Sequence, residues 1–227
     1  MTSWVQPGGV GGGWQGGAME FSEVVRRRRM VRRYDPDRPV PDDVVQRLLE
    51  NAVRAPSAGF SQGWDFVVLR EAAERDAFWS ATAEEGVAPD AWLTGIRSAP
   101  LLVLCLSDKQ AYLERYAAAD KGWADRDESR WPVPYWDVDT GMAALLMLLT
   151  ATDEGLGSLF FGVPATRQDA VHEAFAIPAD RRVVGVVAVG YALPGPKSPS
   201  LRRHRRDAGE VGHWGRFGVP RPGPVEG

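Results

Sequence analysis

One cysteine and three histidines are all the thiol and imidazole metal ligands that these 227 residues hold, and that scarcity removes several chemistries. A single thiol cannot close an intrachain disulfide or build a metal cluster. Cys105 stands in the apolar run PLLVLCLS, where it is expected as a buried, inert thiol inside a strand. His172, His204 and His213 are too scattered to suggest a metal triad. No HExxH, CxxC, GxSxG or GKS/T motif is present, so a Ser-His-Asp hydrolase has no support. No apolar run reaches the roughly 18–20 residues that span a bilayer. The longest, Val138 to Ala151, is interrupted by Asp139, Thr140 and Gly141. The start, MTSWVQPGGVGGGWQGG, lacks the basic and apolar segments of a signal peptide. Residues 1–18 are expected to be a disordered Gly-rich leader ahead of a start at Met19, and the location is expected to be cytoplasmic. Net positive charge is missing too. The formal net charge of −3 argues against a nucleic-acid-binding domain.

Against that acidic balance stands Arg26 to Tyr34, RRRRMVRRY, with arginine at six of nine positions. A guanidinium fork matches the oxygens of a phosphate and holds them by charge-assisted hydrogen bonds. A second cluster, Arg202, Arg203, Arg205 and Arg206, lies near the other end. Local basic clusters in an acidic chain point to a small anionic partner, and the phosphate of a bound cofactor is the expected one. On a helix Arg28 and Arg32 would share a face while Arg26 and Arg27 point elsewhere, to be solvated or salt-bridged. Glu23 and Arg27 have the spacing of an i,i+4 pair.

The pattern of the chain predicts helices over Glu20–Arg28, Asp42–Val53, Glu71–Glu85, Val138–Glu154 and Thr166–Phe175, the last with capping-box-like Thr166 and Asp169. Strands are predicted over Asp65–Arg70, Pro100–Ser107, Ser158–Phe161 and Arg182–Tyr191. The run Pro100–Ser107 is apolar throughout, as in a strand buried on both faces. The helix Val138–Glu154 is apolar on nearly all sides, which places it in a core or an interface. Lys109 to Trp136 carries many charges, three tyrosines and three tryptophans, and reads as a helical lid followed by a loop over a site or a partner subunit. The residues after Tyr191 read as an extended, basic, Pro-rich tail. The order of elements gives α+β or α/β.

The ordered combination Arg28-Arg29-Met30-Val31-Arg32-Arg33-Tyr34, then Ala55-Pro56-Ser57 with Ser61-Gln62-Gly63-Trp64-Asp65-Phe66, then Glu154-Gly155-Leu156-Gly157-Ser158 resembles the FMN-dependent nitroreductase family. The similarity runs from about Met19 to Trp214. It implies an α+β fold: a mainly antiparallel four- to five-stranded sheet wrapped by helices, one domain over 19–227, and a homodimer with FMN at the interface. It places Arg28, Arg29, Met30 and Arg32 at the flavin phosphate and ribityl chain, and Pro56, Ser57 and Ser61 along the flavin from a loop that often serves the site shared with the other subunit. It places Phe160, Phe161 and Gly162 at the ring through backbone contacts, and Arg203 and Arg205 on the phosphate from the tail. Two positions depart from the family pattern: Met30 stands where serine is common, and Gly63 where proline is, which is expected to leave that loop freer.

The bland readings are turn chemistry for Ser57 and Ser61, core packing for one of Phe160 and Phe161, a structural role for Trp64, and a solvated tail for Arg203 and Arg205. The activity implied is hydride transfer from NAD(P)H through FMN to a small organic acceptor (a nitroaromatic, quinone or enone) in a ping-pong cycle. The cofactor carries the hard chemistry, so no catalytic side chain and no metal ligand is assigned. Aromatic residues between Tyr112 and Trp136 are the candidates for the acceptor pocket wall. The alternative is a flavin or deazaflavin carrier on the same fold without turnover. An anion-binding module built on the arginine clusters is a third possibility. No nucleic acid and no membrane is expected as partner.

Overall fold

The apolar run LLVLCLSD is buried at seven of its eight positions, because helices cover both sides of the strand it forms. In chain order, the computed structural model contains α1 (Phe21–Arg27), α2 (Asp42–Ala52), β1 (Trp64–Leu69), α3 (Ala72–Ala81), α4 (Ala91–Ile96), β2 (Leu101–Asp108), α5 (Lys109–Ala117), α6 (Tyr135–Asp153), β3 (Gly157–Phe161), α7 (Gln168–Ala174), β4 (Arg181–Gly190) and α8 (Ala208–Val211). The described residues are 19–84, 86–195 and 202–223. The leader expected over 1–18 lies outside them.

The four strands form one antiparallel sheet in the order β1-β2-β4-β3. Side chains alternate across it as the pleat demands. Leu101, Val103 and Cys105 of β2 point to one face, with Val187 and Val189 of β4, and pack on Val44, Leu48, Ala143 and Met147 of α2 and α6. Leu102, Leu104 and Leu106 point to the other, with Val186 and Ala188, against Phe78, Trp79, Ile96 and Val171 of α3, α4 and α7. The ladder shifts register between Cys105 and Leu106, opposite Gly185 and Val183. The extra residue lets Val183 and Val186 share a face despite their odd spacing. Cys105 is fully buried, and desolvation pushes its thiol up to about 12, which makes it inert as expected.

The α+β sheet wrapped by helices matches the sequence expectation. The differences are local. The first helix stops at Arg27, and the backbone from Arg28 is extended, so Arg28 and Arg32 share no helical face. The helix expected over 71–85 ends at Ala81, and a separate short helix, α4, follows, capped by Asp90, whose carboxylate accepts from the Leu93 N–H at 2.7 Å. Six residues are too few for a periodic signal. The α6 helix begins at Tyr135, three residues early, on Pro134, which lacks the N–H that a helix start leaves unused. Thr166 and Asp169 form no capping box. Residues 165–167 make a 3₁₀ turn, and α7 starts at Gln168 without a side-chain cap.

By internal contacts the chain divides into two units, one ending at Leu193 and one starting at Pro194. Among the described residues of the second, the one helix is α8, closed by a capping box between Asp207 and Glu210.

Candidate functional site

The arginine segment is built onto the edge of the sheet. Arg28 caps α1, donating its N–H to the Val24 carbonyl at 2.9 Å. Met30 then bridges Ser158 of β3, and Tyr34 bridges Ala192 beyond β4. The Val31 N–H donates to the Ser158 carbonyl at 2.8 Å and the Leu193 N–H to the Arg33 carbonyl at 3.0 Å. Val31 and Tyr34 point inward, while Arg29, Met30 and Arg33 are exposed and Arg28 and Arg32 half-buried. Tyr34 is fully buried, and its hydroxyl donates to the Val31 carbonyl at 2.7 Å. Burial holds that phenol above its usual range, with Arg32 opposing weakly.

Two close approaches fix the segment further. A Cβ on Gly157 would lie 2.8–2.9 Å from three Val31 side-chain atoms, and one on Gly95 would lie 2.3 Å from the Arg32 carbonyl oxygen. The Tyr34 N–H donates to the Ser98 hydroxyl at 2.9 Å. The α4 region, unread in the sequence, therefore buttresses the arginines from behind. Gly95 and Ser98 were the available signal, three residues apart ahead of a strand.

Arg28 is the odd member. Its Nη1 is buried and has no hydrogen-bond partner among the described residues, and neither has the buried Ser158 hydroxyl. Arg32 donates to the Met30 carbonyl at 3.3 Å. Arg26 and Arg27 both pair with Glu23, as expected for side chains aimed away from Arg28. They also line, with Arg29, Val31, Gly155, Leu156 and Gly157, a solvent-open cleft of about 590 Å³ between the segment and the end of α6. The resemblance gave those two arginines no role.

The serine loop lies at the other edge of the sheet, leading into β1. Gly59, Phe60 and Gln62 have φ of 63°, 57° and 51°, so two non-glycine residues are left-handed. The Ser57 hydroxyl accepts from the Gln62 N–H at 3.1 Å, and the Ser61 hydroxyl donates to the Ala58 carbonyl at 2.5 Å. Both serines thus close the turn. Ser57 keeps a proton to donate outward, and Ser61 keeps lone pairs. Pro56 and Phe60 are exposed. Gly63 does not free the loop, contrary to expectation: a Cβ there would sit 2.7 Å from the Asp108 carbonyl oxygen and 3.0 Å from the Tyr112 ring.

At the far end of β3, Phe160 and Phe161 face opposite ways, each packed against a different core cluster. Phe160 covers Gly185, and Phe161 stacks on Trp79 at 5.8 Å. Their side chains are committed to packing. Gly162 is exposed with open space around it. Trp64 is buried in the core, as its structural reading required. Arg203 and Arg205 belong to the second unit, where both are exposed.

Residues 109–136 form α5, a loop and the first residues of α6, and their rings pack on one another. Trp131 lies 4.5 Å from Tyr116, 5.7 Å from Trp123 and 5.8 Å from Tyr112. The small gap beside them has no room for a water molecule, so these rings form a miniature core rather than an open pocket wall. Among the described residues, no group of three or more His, Cys, Asp or Glu side chains could hold a metal ion, and no helix is long and apolar enough to cross a membrane.

Comparison with known proteins follows the same lines. Residues 25–191 match the model described as Nitroreductase family. A protein of Archaeoglobus fulgidus with the provisional name NADH dehydrogenase/NAD(P)H nitroreductase is 29% identical over 174 residues, 76% of this chain and 85% of its own. The NADH dehydrogenase of Thermus thermophilus is 28% identical over 225 residues, 86% of this chain and 96% of its own. Among solved structures, one from Desulfovibrio desulfuricans, determined in complex with FMN, superposes with a TM-score of 0.65 at 23% identity, covering 89% of this chain and 98% of that one. At that identity the likeness is one of fold.

Proposed function

The chain belongs to the nitroreductase family, and on that premise we propose that it is a cytoplasmic FMN-dependent oxidoreductase that takes hydride from NAD(P)H and passes it to a small organic acceptor (a nitroaromatic, quinone or enone) in a ping-pong cycle. The observation that carries the reading is the orphaned Nη1 of Arg28. A buried guanidinium nitrogen without a partner is costly, and an incoming anion removes the cost. Arg29 opens onto the adjacent cleft and Arg32 is half-buried two residues beyond Met30, so a phosphate fits this surface. The buried free thiol of Cys105 suits a reducing compartment.

Arg28, Arg29 and Arg32 would hold the phosphate, with Met30 on the edge between them. Pro56, Ser57 and Ser61 would line the ring from the loop, with the Ser57 proton free to donate. Because the Phe160 and Phe161 rings are already packed, β3 would offer its backbone and the open space at Gly162. Bound FMN supplies two-electron chemistry between a nicotinamide and an acceptor. The chain's own part is to grip the phosphate, orient the ring and shape the space beside it.

The sheet order supports a homodimer. The arginine segment lies on the β3 edge and the serine loop leads into β1 at the opposite edge. Three strand spacings separate these edges, roughly 14 Å. A second copy would let the loop of one subunit meet the arginines of the other. Apolar residues left exposed on α1 and α6, among them Phe21, Val25, Val138 and Leu145, suit such a contact.

A comparison of ligands tests the phosphate grip. FMN is expected to bind at least about tenfold more tightly than riboflavin, which lacks the phosphate, a difference of about 1.4 kcal/mol. Arg28→Ala should close that gap. Equal affinities in the wild-type protein would remove the grip from the account.

A further inference from the structure

Asp139 is the one carboxylate inside the apolar run 138–151, and it is 3% exposed. Among the described residues it has no ion-pair partner. Burial raises its pKa, with the Ala58 N–H opposing. A buried carboxyl group without a counter-charge is costly, and the contacts it makes show what it holds. Its Oδ2 accepts the Ala58 N–H at 2.8 Å and also the Tyr112 hydroxyl. Ala58 opens the serine loop, with left-handed Gly59, Phe60 and Gln62 after it. A second tether comes from α5, where the Arg115 Nε–H donates to the Gly59 carbonyl at 2.8 Å. Two left-handed non-glycine residues are strained and persist only where the surroundings impose them.

We propose that Asp139 is a positioning residue for the cofactor site: from within α6 it fixes the Ala58 amide, and with Arg115 it imposes the left-handed form of the 57–62 loop. The inference deepens the functional reading and rests on it only where the loop is said to face the flavin. Tyr112 presents a proton to the same oxygen, so α5, α6 and the loop meet at one atom. The 109–136 excursion thereby reaches the site through the loop, even though its own rings pack on each other.

The test is amide hydrogen exchange on the flavin-free protein, followed by FMN titration. In Asp139→Ala neither the Ala58 N–H nor the Tyr112 hydroxyl keeps its side-chain acceptor. Exchange in a peptide spanning 57–62 is expected to accelerate at least about tenfold, while β2 and β4 keep their protection. FMN affinity is expected to fall about tenfold, with Phe60 and Ser57 displaced. Arg115→Met, at a part-exposed position, should accelerate the same peptide and serves if Asp139→Ala does not fold. Unchanged loop exchange, or equal acceleration throughout the chain, would overturn the positioning role. If the wild-type protein takes up no FMN, the functional reading fails, and loop exchange in the flavin-free chain still decides the role of Asp139.

Discussion

Gly157→Ala is the substitution for which the structure sets the most definite cost. The new Cβ would stand 2.8–2.9 Å from the Cβ and both Cγ atoms of Val31. Comfortable carbon contacts lie at about 3.5–4.0 Å, so a displacement of about 0.6–1.2 Å is required. Val31 is β-branched and buried, and cannot swing aside. The movement must fall on the backbone, where the Val31 N–H reaches the Ser158 carbonyl at 2.8 Å. Overpacking costs about 1–3 kcal/mol. Loss of that hydrogen bond adds about 0.5–1.5 kcal/mol. The stiffer unfolded chain returns about 0.4–1 kcal/mol. The net loss is about 0.5–4 kcal/mol, centred near 2, and with a urea m-value near 2 kcal/mol/M that centre lowers the midpoint by roughly 1 M. The arginine segment should move with Val31, so FMN affinity falls while riboflavin affinity changes less. Val31→Ala removes two of the three close carbons, at about 0.8 kcal/mol each, and relieves the clash in part, since the Val31 Cβ stays 2.9 Å from the new one. The double variant should therefore cost at least about 1 kcal/mol less than the sum of the singles. An unchanged midpoint in Gly157→Ala, or strictly additive costs, would refute the claim that Gly157 seats the arginine segment.

Tyr34→Phe is expected to cost about 1–3 kcal/mol in urea unfolding, because it leaves the buried Val31 carbonyl without its 2.7 Å donor, and a midpoint like the wild type's would mean that another donor replaces it. Asp139 sets a pH dependence: burial raises its folded pKa above the ordinary 3.8, so its stabilisation is full below that value and is lost as pH rises through the raised one. In urea melts from roughly pH 4 to pH 7, the stability advantage of wild type over Asp139→Asn should shrink as pH rises, and an advantage that grows would show that the carboxylate is favoured as an anion.

The sheet was legible because its strands obey simple patterns. A strand covered on both faces must be apolar throughout, and LLVLCLS is. The amphipathic helix α2 and the apolar helix α6 were visible for the same reason. The bulge at Val183–Gly185 was not, since an extra residue leaves no compositional mark on a valine-rich strand. The arginine segment was found by charge, but its conformation was missed. Four arginines read as a helical end, whereas bridges to Ser158 and Ala192 draw the chain out along the sheet. The serine loop was found by resemblance, and its left-handed Phe60 and Gln62 carry no local signal because distant groups, Asp139 and Arg115, impose them. Asp139 itself was in view as an interruption of an apolar run. A lone acid inside a buried helix needs a partner, and that question would have led to it.

The most direct test of the central claim is the visible spectrum of the purified protein with FMN, before and after anaerobic addition of NADH or NADPH. The account predicts flavin bands that bleach with at least one donor and return when an acceptor is added. A protein that stays colourless after incubation with FMN would contradict it.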